Sequence, residues 1–285
     1  MKFLVLGCNG MAGHMFSLYL KEGGYEVDGF ARKESPFIHT VLGDARDTGL
    51  LRNIIEKGNY RAVINCIGVL NKFAELNHEA AVFLNSYVPQ FLAKITEKSA
   101  TQIIHISTDC VFSGSRGCYT ESDFPDGKLF YDRSKALGEL DNEKDITFRM
   151  SIVGPDANEK GIGLINWFMQ QQGKVKGYKN AMWTGQTTLQ LAKTIEHAAR
   201  QRVHGLYNMV PEDKISKYDM LVLFNQYLRS KPIEIEPEEN FRTDKSLKRT
   251  NYGLFSYRIP EYEQQIRELG TWMRAHKELY PHYGL

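Results

Sequence analysis

KFLVLGCNGMAG, residues 2–13, carries the strongest structural signal in the sequence. An apolar, strand-like run leads directly into glycines at positions 7, 10 and 13, and a segment with helical spacing follows at once. Glycine allows a tight turn, close approach of backbone N–H groups to phosphate oxygens, and close packing of the helix on the strand. The turn therefore predicts a pyrophosphate site at the helix N-terminus, with a plain strand-to-helix turn as the alternative.

Strand-length apolar runs and helical segments alternate through the first half of the chain. Crossovers of this length join parallel strands, so the alternation predicts an α/β fold with a doubly wound parallel sheet of the Rossmann type. The predicted strands are 2–7, 25–30, 38–42, 61–67, 102–107 and 146–150, and the predicted helices are 12–22, 47–57, 79–98 and 131–143.

The alternation loosens beyond about residue 155. A helix at 215–230, a short strand at 233–235 and an amphipathic helix at 260–279 are predicted there. We expect residues 1–155 to form a dinucleotide-binding domain, to which the chain returns near 180–210. Residues 156–285 are expected to form mainly a smaller C-terminal α/β substrate-binding lobe.

Composition excludes several classes of protein. The 285 residues include 36 Lys and Arg against 34 Asp and Glu, with no run of like charge, so neither nucleic acid nor an anionic membrane is expected as a partner. No apolar run approaches the ~20 residues of a membrane helix. The four cysteines form no C-x-x-C pair, which favours a reduced, cytoplasmic protein without disulfides or a metal site.

The end of the second strand indicates the type of cofactor. An acidic residue at this tip binds the free 2′-hydroxyl of NAD, whereas a cation favours the 2′-phosphate of NADP. Arg32 and Lys33 stand there, although Asp28 lies nearby. We therefore predict NADP(H) as the preferred cofactor and NAD(H) as the alternative. Asp44, after the third strand, could accept a hydrogen bond from the adenine amine or could cap a helix.

Tyr131 and Lys135 lie four residues apart and therefore on one face of the predicted helix. A phenol has a pKa near ~10, so it needs a nearby cation that stabilises the phenolate if it is to exchange protons at neutral pH. An isolated Y-x-x-x-K is often only a surface pair. Thr108, however, follows the fifth strand at the ligand-binding edge of the sheet, where its hydroxyl could polarise a carbonyl that Tyr131 protonates.

Four motifs together resemble the extended short-chain dehydrogenases/reductases. They are Gly7-x-x-Gly10-x-x-Gly13, Ser107-Thr108-Asp109, Tyr131-x-x-x-Lys135 and Arg149-Met150-Ser151. Within that group, STDCVFSG at 107–114 is similar to the dTDP-4-dehydrorhamnose reductase branch. The resemblance implies NAD(P)H-dependent reduction of the 4-keto group of a nucleotide-linked 6-deoxysugar, for cell-surface polysaccharide precursors.

The motifs and the resemblance together give three sets of site residues. The catalytic set is Thr108, Tyr131 and Lys135. The cofactor-binding set is Gly7, Asn9, Gly10, Met11, Gly13, Arg32, Asp44, Ala45, Cys66, Ile67, Gly68, Asn85, Ser107 and Lys135. The substrate-binding set is Thr108, Asp109, Cys110, Ser151 and Trp183. For Asn85, support of the catalytic lysine is implied by the resemblance, and a helix-capping or surface role stays open.

Departures from the branch leave the sugar open. The branch carries Tyr where this chain has Cys110, and Asp where it has Ser113. Sugar-nucleotide dehydratases carry Thr-Asp-Glu here, and Cys110 cannot supply that glutamate.

Two alternative functions stay open. One is an epimerase that keeps NAD bound. The other is a non-catalytic NADP-binding regulatory subunit, because one branch includes a partner of a methionine adenosyltransferase. The intact catalytic set argues against the subunit, and a homodimer is an open expectation.

Several aromatic residues and histidines receive a structural interpretation. His105 is expected to be a packed or solvent-side strand residue. Trp183 is expected either to stack on a base or sugar or to pack in the core. Tyr280, His282 and Tyr283 are expected to form an exposed terminus or a dimer contact.

Overall fold

The computed structural model describes all of residues 1–285. Its strands are β1 (Lys2–Leu6), β2 (Glu26–Ala31), β3 (His39–Leu42), β4 (Ala62–Asn65), β5 (Gln102–Ile106), β6 (Ile146–Arg149), β7 (Ser151–Val153), β8 (Lys174–Trp183), β9 (Gly185–Thr187), β10 (Gly205–Asn208), β11 (Ile215–Ser216) and β12 (Glu234–Asp244). Its helices are α1 (Met11–Glu22), α2 (Thr48–Gly58), α3 (Asn71–Leu76), α4 (His78–Ala81), α5 (Val88–Thr96), α6 (Phe130–Leu137), α7 (Leu164–Met169), α8 (Thr188–Gln201), α9 (Lys217–Tyr227) and α10 (Tyr262–Ala275). A π-helical turn (Val82–Tyr87) joins α4 to α5.

A seven-stranded sheet forms the centre of the molecule, in the order β10-β6-β5-β4-β1-β2-β3, and every neighbouring pair is parallel. The predicted doubly wound parallel sheet is thus confirmed. The chain runs outward from β1 to β3 and then returns to the other side of β1 at β4. Ligands of such sheets bind where the strand order reverses, at the carboxyl ends of the strands, which here means beside β1 and β4.

Strand β1 is covered on both faces, as a central parallel strand must be. Residues Phe3 to Leu6 have no exposed surface. Phe3 and Val5 belong to the buried cluster that includes α1, while Leu4 and Leu6 belong to the cluster that includes α2. The two helices that follow β1 and β3 therefore cover opposite faces of the sheet.

The second half of the chain adds two small sheets. β8 pairs with β12 in parallel and with β11 in antiparallel orientation, and β7 pairs with β9 in parallel. β10 joins the edge of the main sheet, and α8 packs on α1. The largest buried cluster contains residues of both halves, so packing is continuous across residue 155. None of the helices combines the length and apolar composition needed to cross a bilayer.

Two predicted boundaries shift at the ligand edge of the sheet. The helix predicted at 131–143 ends at Leu137, and Gly138 is the residue at its C-terminal cap. A Cβ on Gly138 would lie 1.9 Å from the backbone oxygen of Asn85, so only glycine fits at this position. The glycine therefore lets the end of α6 pack closely on the π-helical turn. The strand predicted at 61–67 ends at Asn65, which leaves Cys66 and the next residues in a loop facing the crevice.

Two further elements differ in the second half. The short strand predicted at 233–235 is the eleven-residue β12, because it pairs with β8 over most of its length. The chain terminus is not exposed as expected: Tyr280 and Tyr283 are 1% and 6% exposed. The Tyr280 hydroxyl lies 2.9 Å from Nε2 of His14 on α1, and Asp156 N donates to the Tyr283 hydroxyl over 2.8 Å.

Candidate active site

The glycine turn uses its three glycines for different reasons. Gly7 has a φ of +78°, in the left-handed region that favours glycine. A Cβ on Gly13 would lie 2.2 Å from the Gly7 oxygen, so only glycine lets α1 pack on the turn. A Cβ on Gly10 would meet only the Gly7 oxygen, at 3.4 Å, and its outer side is open. The turn therefore combines a close backbone approach with the positive end of the α1 dipole, as a pyrophosphate requires.

The loop after β2 is fastened to this turn. The Asn9 side-chain amide donates to the backbone oxygen of Lys33 over 2.8 Å. Arg32 is exposed in the same loop. Residues 9 and 32 are thus brought to one edge of the crevice, where the sequence predicted the phosphate end and the adenosine end of a dinucleotide.

Asp28, the acidic alternative at this strand, is engaged elsewhere. Its carboxylate contacts Lys2 Nζ at 2.9 Å, accepts from the Tyr60 hydroxyl at 2.9 Å and lies 3.0 Å from Nδ1 of His39. Burial raises the pKa of Asp28, but the hydrogen bonds from these three groups outweigh it and lower the pKa overall. Because both carboxylate oxygens already have these partners, Asp28 is a poor acceptor for a hydrogen bond from a ribose hydroxyl. Arg32 keeps the end of the strand basic.

The helix cap considered for Asp44 is provided by Asp47, three residues later. Asp47 caps α2, because its carboxylate accepts from Leu50 N over 2.9 Å. Asp44 accepts from Arg46 N over 2.9 Å, is exposed, and retains a second carboxylate oxygen. Ala45 beside it is buried.

Residues 66–68 lie against the glycine turn. Cγ1 of Ile67 would be 3.2 Å from a Cβ on Gly7, and Gly68 approaches the Asn85 side-chain oxygen. Burial raises the pKa of the Cys66 thiol, which stays protonated at neutral pH. Met11 opens α1, and its sulfur would lie 3.1 Å from a Cβ on Gly163, so it is directed toward the second half of the chain.

Asn85 fastens the loop after β4 to α6. It is fully buried in the π-helical turn, accepts from Val69 N over 2.7 Å, and donates to Val69 O over 2.9 Å and to Ser134 Oγ over 3.0 Å. A surface or capping role for Asn85 is therefore wrong. Its hydrogen bonds reach Ser134, the residue beside Lys135, so Asn85 holds the loop after β4 against α6.

Tyr131 and Thr108 meet at the carboxyl end of β5. Tyr131 is 6% exposed. Burial raises the pKa of its phenol, Cys110 and Asp109 raise it further, and a hydrogen bond with Thr108 acts in the opposite direction. Cys110 N donates to Thr108 Oγ1 over 3.1 Å, which fixes the threonine hydroxyl at the start of the turn after β5.

Lys135 corrects one expectation. Its Nζ donates to Ile106 O over 2.7 Å and lies 3.4 Å from Nε2 of His105. Burial lowers the pKa of Lys135 to about 8. The sequence predicted that this ammonium would lower the pKa of Tyr131, but burial is the largest effect and the phenol pKa is raised overall. A raised pKa keeps the phenol protonated at neutral pH, as a proton donor requires.

His105 and Glu75 are site residues that sequence reasoning missed. His105 has no exposed surface and lies between Lys135 and Asn65, whose Nδ2 is 3.2 Å from its Nδ1. Glu75 accepts from Tyr131 N over 3.0 Å and so caps α6 from outside the helix. The available signal for His105 was a polar ring inside an otherwise apolar strand, three residues before Thr108.

Ser107 belongs to a buried ion pair. Arg149 donates to both carboxylate oxygens of Glu139, over 2.9 and 2.5 Å, and Ser107 Oγ donates to the same carboxylate over 2.7 Å. This cluster joins the ends of β5 and β6 behind Lys135. The Ser107 hydroxyl is therefore already engaged, and its predicted contact with a cofactor would have to use another atom or displace this bond.

The predicted substrate residues separate into two groups. Asp109 and Cys110 lie beside Tyr131, and Ser151 forms a hydrogen bond with Asp109. Burial raises the pKa of Asp109, with Ser151 and the charge of Lys245 acting in the opposite direction. Burial and Asp109 raise the pKa of Cys110 to about 11, so it is a thiol at neutral pH. Trp183 is 7% exposed with its ring 5.6 Å from that of Tyr262, which favours core packing.

A family model described as the RmlD substrate binding domain matches residues 1–283. The chain belongs to this family. The resemblance to the dTDP-4-dehydrorhamnose reductase branch of the extended short-chain dehydrogenases/reductases is thereby confirmed at the level of the family.

Individual relatives in and around the RmlD family carry more than one function. The chain is 34% identical over 139 residues to a probable low-salt glycan biosynthesis reductase of Haloferax volcanii, covering 47% of this chain and 46% of that protein. It is 29% identical over 140 residues to methionine adenosyltransferase 2 subunit beta of Danio rerio, covering 48% and 42%. The matches thus span less than half the length of either relative.

A solved structure shows the same fold. The dTDP-4-dehydrorhamnose reductase of Bacillus anthracis, in complex with NADP, superposes with a TM-score of 0.78. The superposition covers 95% of this chain and 99% of that one, at 18% identity. The two proteins therefore share one fold over nearly the whole chain.

Proposed function

We propose that this chain is a reductase that uses NADPH to reduce the 4-keto group of a nucleotide-linked 6-deoxysugar. The observation that carries the proposal is a buried, protonated Tyr131 beside Thr108, at the carboxyl edge of the sheet and next to the glycine turn. Family membership and the reductase names of two relatives support it, including one named as a probable glycan biosynthesis reductase.

The mechanism divides between the cofactor and the chain. When bound, the nicotinamide supplies the hydride. The glycine turn and the α1 N-terminus hold the pyrophosphate, and Arg32 binds the 2′-phosphate. Thr108 donates a hydrogen bond to the substrate carbonyl, and Tyr131 transfers its proton to the alkoxide that develops on that oxygen. Lys135 stabilises the resulting phenolate by its charge, and Asp109, Cys110 and Ser151 contact the sugar.

A direct assay tests the proposal. NADPH or NADH oxidation is followed with dTDP- and UDP-linked 4-keto-6-deoxysugars, and mass spectrometry checks that the product has gained two hydrogens. We expect turnover with NADPH, slower turnover with NADH, and loss of turnover in Tyr131→Phe. Absence of oxidation with every ketosugar tested would overturn the assignment as a reductase.

The similarity to a methionine adenosyltransferase subunit supports a second candidate, a non-catalytic regulatory subunit that binds NADP. Such a subunit needs no protonated phenol beside a lysine, so the buried Thr108, Tyr131 and Lys135 favour the enzyme. NADPH binding without oxidation would favour the subunit. A dehydratase is disfavoured because the Cys110 thiol, with a pKa raised to about 11, cannot replace a glutamate base.

We also propose that the protein is cytoplasmic and forms a homodimer. For each protomer we propose the boundary predicted from the sequence, with the dinucleotide-binding domain ending at residue 155. The four cysteines are free thiols, which fits a reducing compartment. A surface on α3 and the following helices exposes Phe73, Leu76, Val82 and Tyr87, by 49%, 82%, 47% and 47%. Contiguous apolar side chains of this kind favour association. Light scattering of the purified protein measures the state, and a monomer at micromolar concentration would contradict the dimer.

A further inference from the structure

A histidine with no role in the proposed reaction lies directly behind Lys135. His105 is fully buried in β5, and its two ring nitrogens face two different partners: Nδ1 faces the Asn65 amide at 3.2 Å, and Nε2 faces Lys135 Nζ at 3.4 Å. We infer that Asn65 and His105 are positioning residues that favour the neutral amine of Lys135, so that this lysine readily gives up a proton.

The first step is the orientation of the Asn65 amide. Ile67 N donates to Asn65 Oδ1 over 3.2 Å, so the oxygen faces the backbone and the NH₂ group faces His105. Nδ1 of His105 must therefore accept a hydrogen bond. A neutral imidazole carries one proton, and with Nδ1 as the acceptor that proton is on Nε2.

The second step concerns the contact between Nε2 and Lys135. An ammonium group has only donors, so an Nε2–H that points at it forms no hydrogen bond. A neutral amine offers its lone pair to Nε2–H and can still donate to Ile106 O, which is 2.7 Å away. Four contacts form a chain: Ile67 N to Asn65, Asn65 to His105, His105 to Lys135, and Lys135 to Ile106 O. All four are hydrogen bonds at the same time only when Lys135 is neutral.

The ammonium form requires one of these bonds to be given up. If Nε2 accepts from the ammonium, the imidazole proton moves to Nδ1 and faces the NH₂ of Asn65, or the amide turns and leaves Ile67 N unpaired. A buried polar group without a partner destabilises whichever state contains it. The tautomer of His105 and the protonation of Lys135 are therefore coupled.

Other groups around Lys135 either favour its ammonium form or are uncharged. The Glu139 carboxylate, which follows α6, favours the ammonium, although it is paired with Arg149 and Ser107. Cys66 approaches from β4 as a protonated thiol, and Tyr131 lies on the same helix as Lys135. Lys135 is the only charged group that acts on His105. The lysine therefore keeps its charge at neutral pH but holds it weakly.

The consequence for catalysis rests on the proposed reductase function. After Tyr131 has given its proton to the alkoxide, one N–H bond of the Lys135 ammonium breaks, an intervening water carries the proton, and the phenol O–H bond forms again. The charges of the ammonium and the phenolate cancel in this step. The neutral amine left behind accepts the hydrogen bond from His105 Nε2–H. Asn65 and His105 thus make Lys135 a better proton donor to the phenolate.

A direct spectroscopic experiment tests the inference without any substrate. Long-range ¹H–¹⁵N spectra of the protein labelled with ¹⁵N-histidine give the tautomer of His105, assigned by the loss of its signals in His105→Phe. Titration of the Lys135 ¹³Cε signal, assigned by its loss in Lys135→Met, gives the lysine pKa. We expect Lys135 to titrate near pH 8, and we expect the Nε2–H tautomer of His105 above that pH, where the lysine is neutral.

Two variants separate the hydrogen bond from burial. His105→Phe keeps the site buried but removes Nε2–H, so the Lys135 titration should rise by roughly half to one pH unit. Asn65→Asp accepts from Nδ1–H and should convert His105 to the opposite tautomer, which raises the Lys135 titration as well. Ile104→Val, the neighbouring strand position, is the control and should leave both signals unchanged.

The outcomes distinguish this inference from the proposed function. An Nδ1–H tautomer in the native protein at a pH where Lys135 is neutral, or an unchanged Lys135 titration in His105→Phe, would overturn it. In active enzyme, the alkaline limb of the kcat profile should move with the Lys135 titration. Failure of every ketosugar assay would reject the reductase and leave the spectroscopic result standing.

Discussion

Removal of the Tyr131 hydroxyl alone tests whether this residue is the proposed proton donor. In Tyr131→Phe the ring keeps its buried position, so we expect kcat to fall by roughly 10²–10⁴-fold, the size typical of a general acid. NADPH affinity, measured by fluorescence titration, should stay nearly unchanged. Tyr87→Phe, at an exposed tyrosine, is the control. Near-native turnover of the Tyr131 variant would remove this residue from the mechanism.

Lys135→Met is expected to behave differently. Methionine fills the buried space but has no charge, so the phenolate loses its stabilising cation, and the predicted contact with the cofactor is lost too. We expect both turnover and NADPH affinity to fall, each measured as for Tyr131. Loss of turnover alone would limit Lys135 to the proton transfer.

Arg32 is predicted to favour NADP(H) over NAD(H). Its guanidinium is exposed in the loop that Asn9 holds against the glycine turn, and charge-assisted bonds to a 2′-phosphate are worth roughly 1.5–3 kcal/mol, or about 10- to 100-fold in affinity. Arg32→Ala should weaken NADPH binding by this factor and leave NADH binding almost unchanged, as measured by calorimetry. Arg52→Ala on α2 is the control. Equal losses for the two cofactors would show that Arg32 is only a solvated loop charge.

Two glycines of the turn between β1 and α1, three residues apart, should differ in how the same substitution affects stability. Gly13→Ala places a Cβ 2.2 Å from the Gly7 oxygen, so it should lower the thermal unfolding temperature and NADPH affinity together. Gly10→Ala meets only an ordinary contact at 3.4 Å, so it should keep the unfolding temperature and lose NADPH affinity, because the methyl group occupies the open side of the turn. Equal unfolding temperatures for the two variants would contradict these packing roles.

Elements with a local signal could be predicted from the sequence, and boundaries set by partners could not. β1 and α1 were predicted because an apolar run and three glycines carry the whole signal. The end of α6 could not be predicted, because it depends on Gly138 packing against Asn85, 53 positions earlier in the chain. Helical spacing continues past that point, so sequence periodicity extends the helix to residue 143.

The site divides in the same way. Thr108, Tyr131 and Lys135 were identified by spacing and by the resemblance. His105, Asn65 and Glu75 were missed, because their roles depend on neighbours from other strands and helices. A strand histidine between two isoleucines has the pattern of a packed residue, and only the fold puts it beside a lysine 30 positions away.

At the scale of the whole molecule, the terminus closes on the glycine turn. His14 Nδ1 lies 3.0 Å from Gly10 O, and its Nε2 lies 2.9 Å from the hydroxyl of Tyr280, which is 266 positions away. The helix that follows the glycine turn, where a pyrophosphate is predicted to bind, is thus supported by residues near the end of the chain. No local pattern indicates such a contact, which is why the tail was expected to be exposed.

Buried histidines should make the stability of the whole molecule depend on pH. Burial lowers the pKa of His14 and of His105 below the ordinary 6.5, so below that pH the unfolded chain binds protons that the folded protein does not. The free energy of unfolding then falls as the pH falls, by up to about 1.4 kcal/mol per pH unit for each histidine. His276 has the opposite sign: burial lowers its pKa, but the hydrogen bonds with Glu22 and Trp272 and the charges of Glu22 and Glu278 together outweigh burial and raise it.

Urea unfolding at about pH 7.5 and about pH 5.5 measures these contributions through the linkage between proton binding and stability. The native protein should lose stability toward the lower pH. His105→Phe should lose less, because one of the two histidines that must stay neutral is gone. His276→Gln should lose more, because the stabilisation that the charged His276 gains from Glu22 is present below pH 6.5 and disappears as the pH rises through its folded pKa. Identical losses in the native protein and in His105→Phe would mean that His105 is not held neutral by the fold.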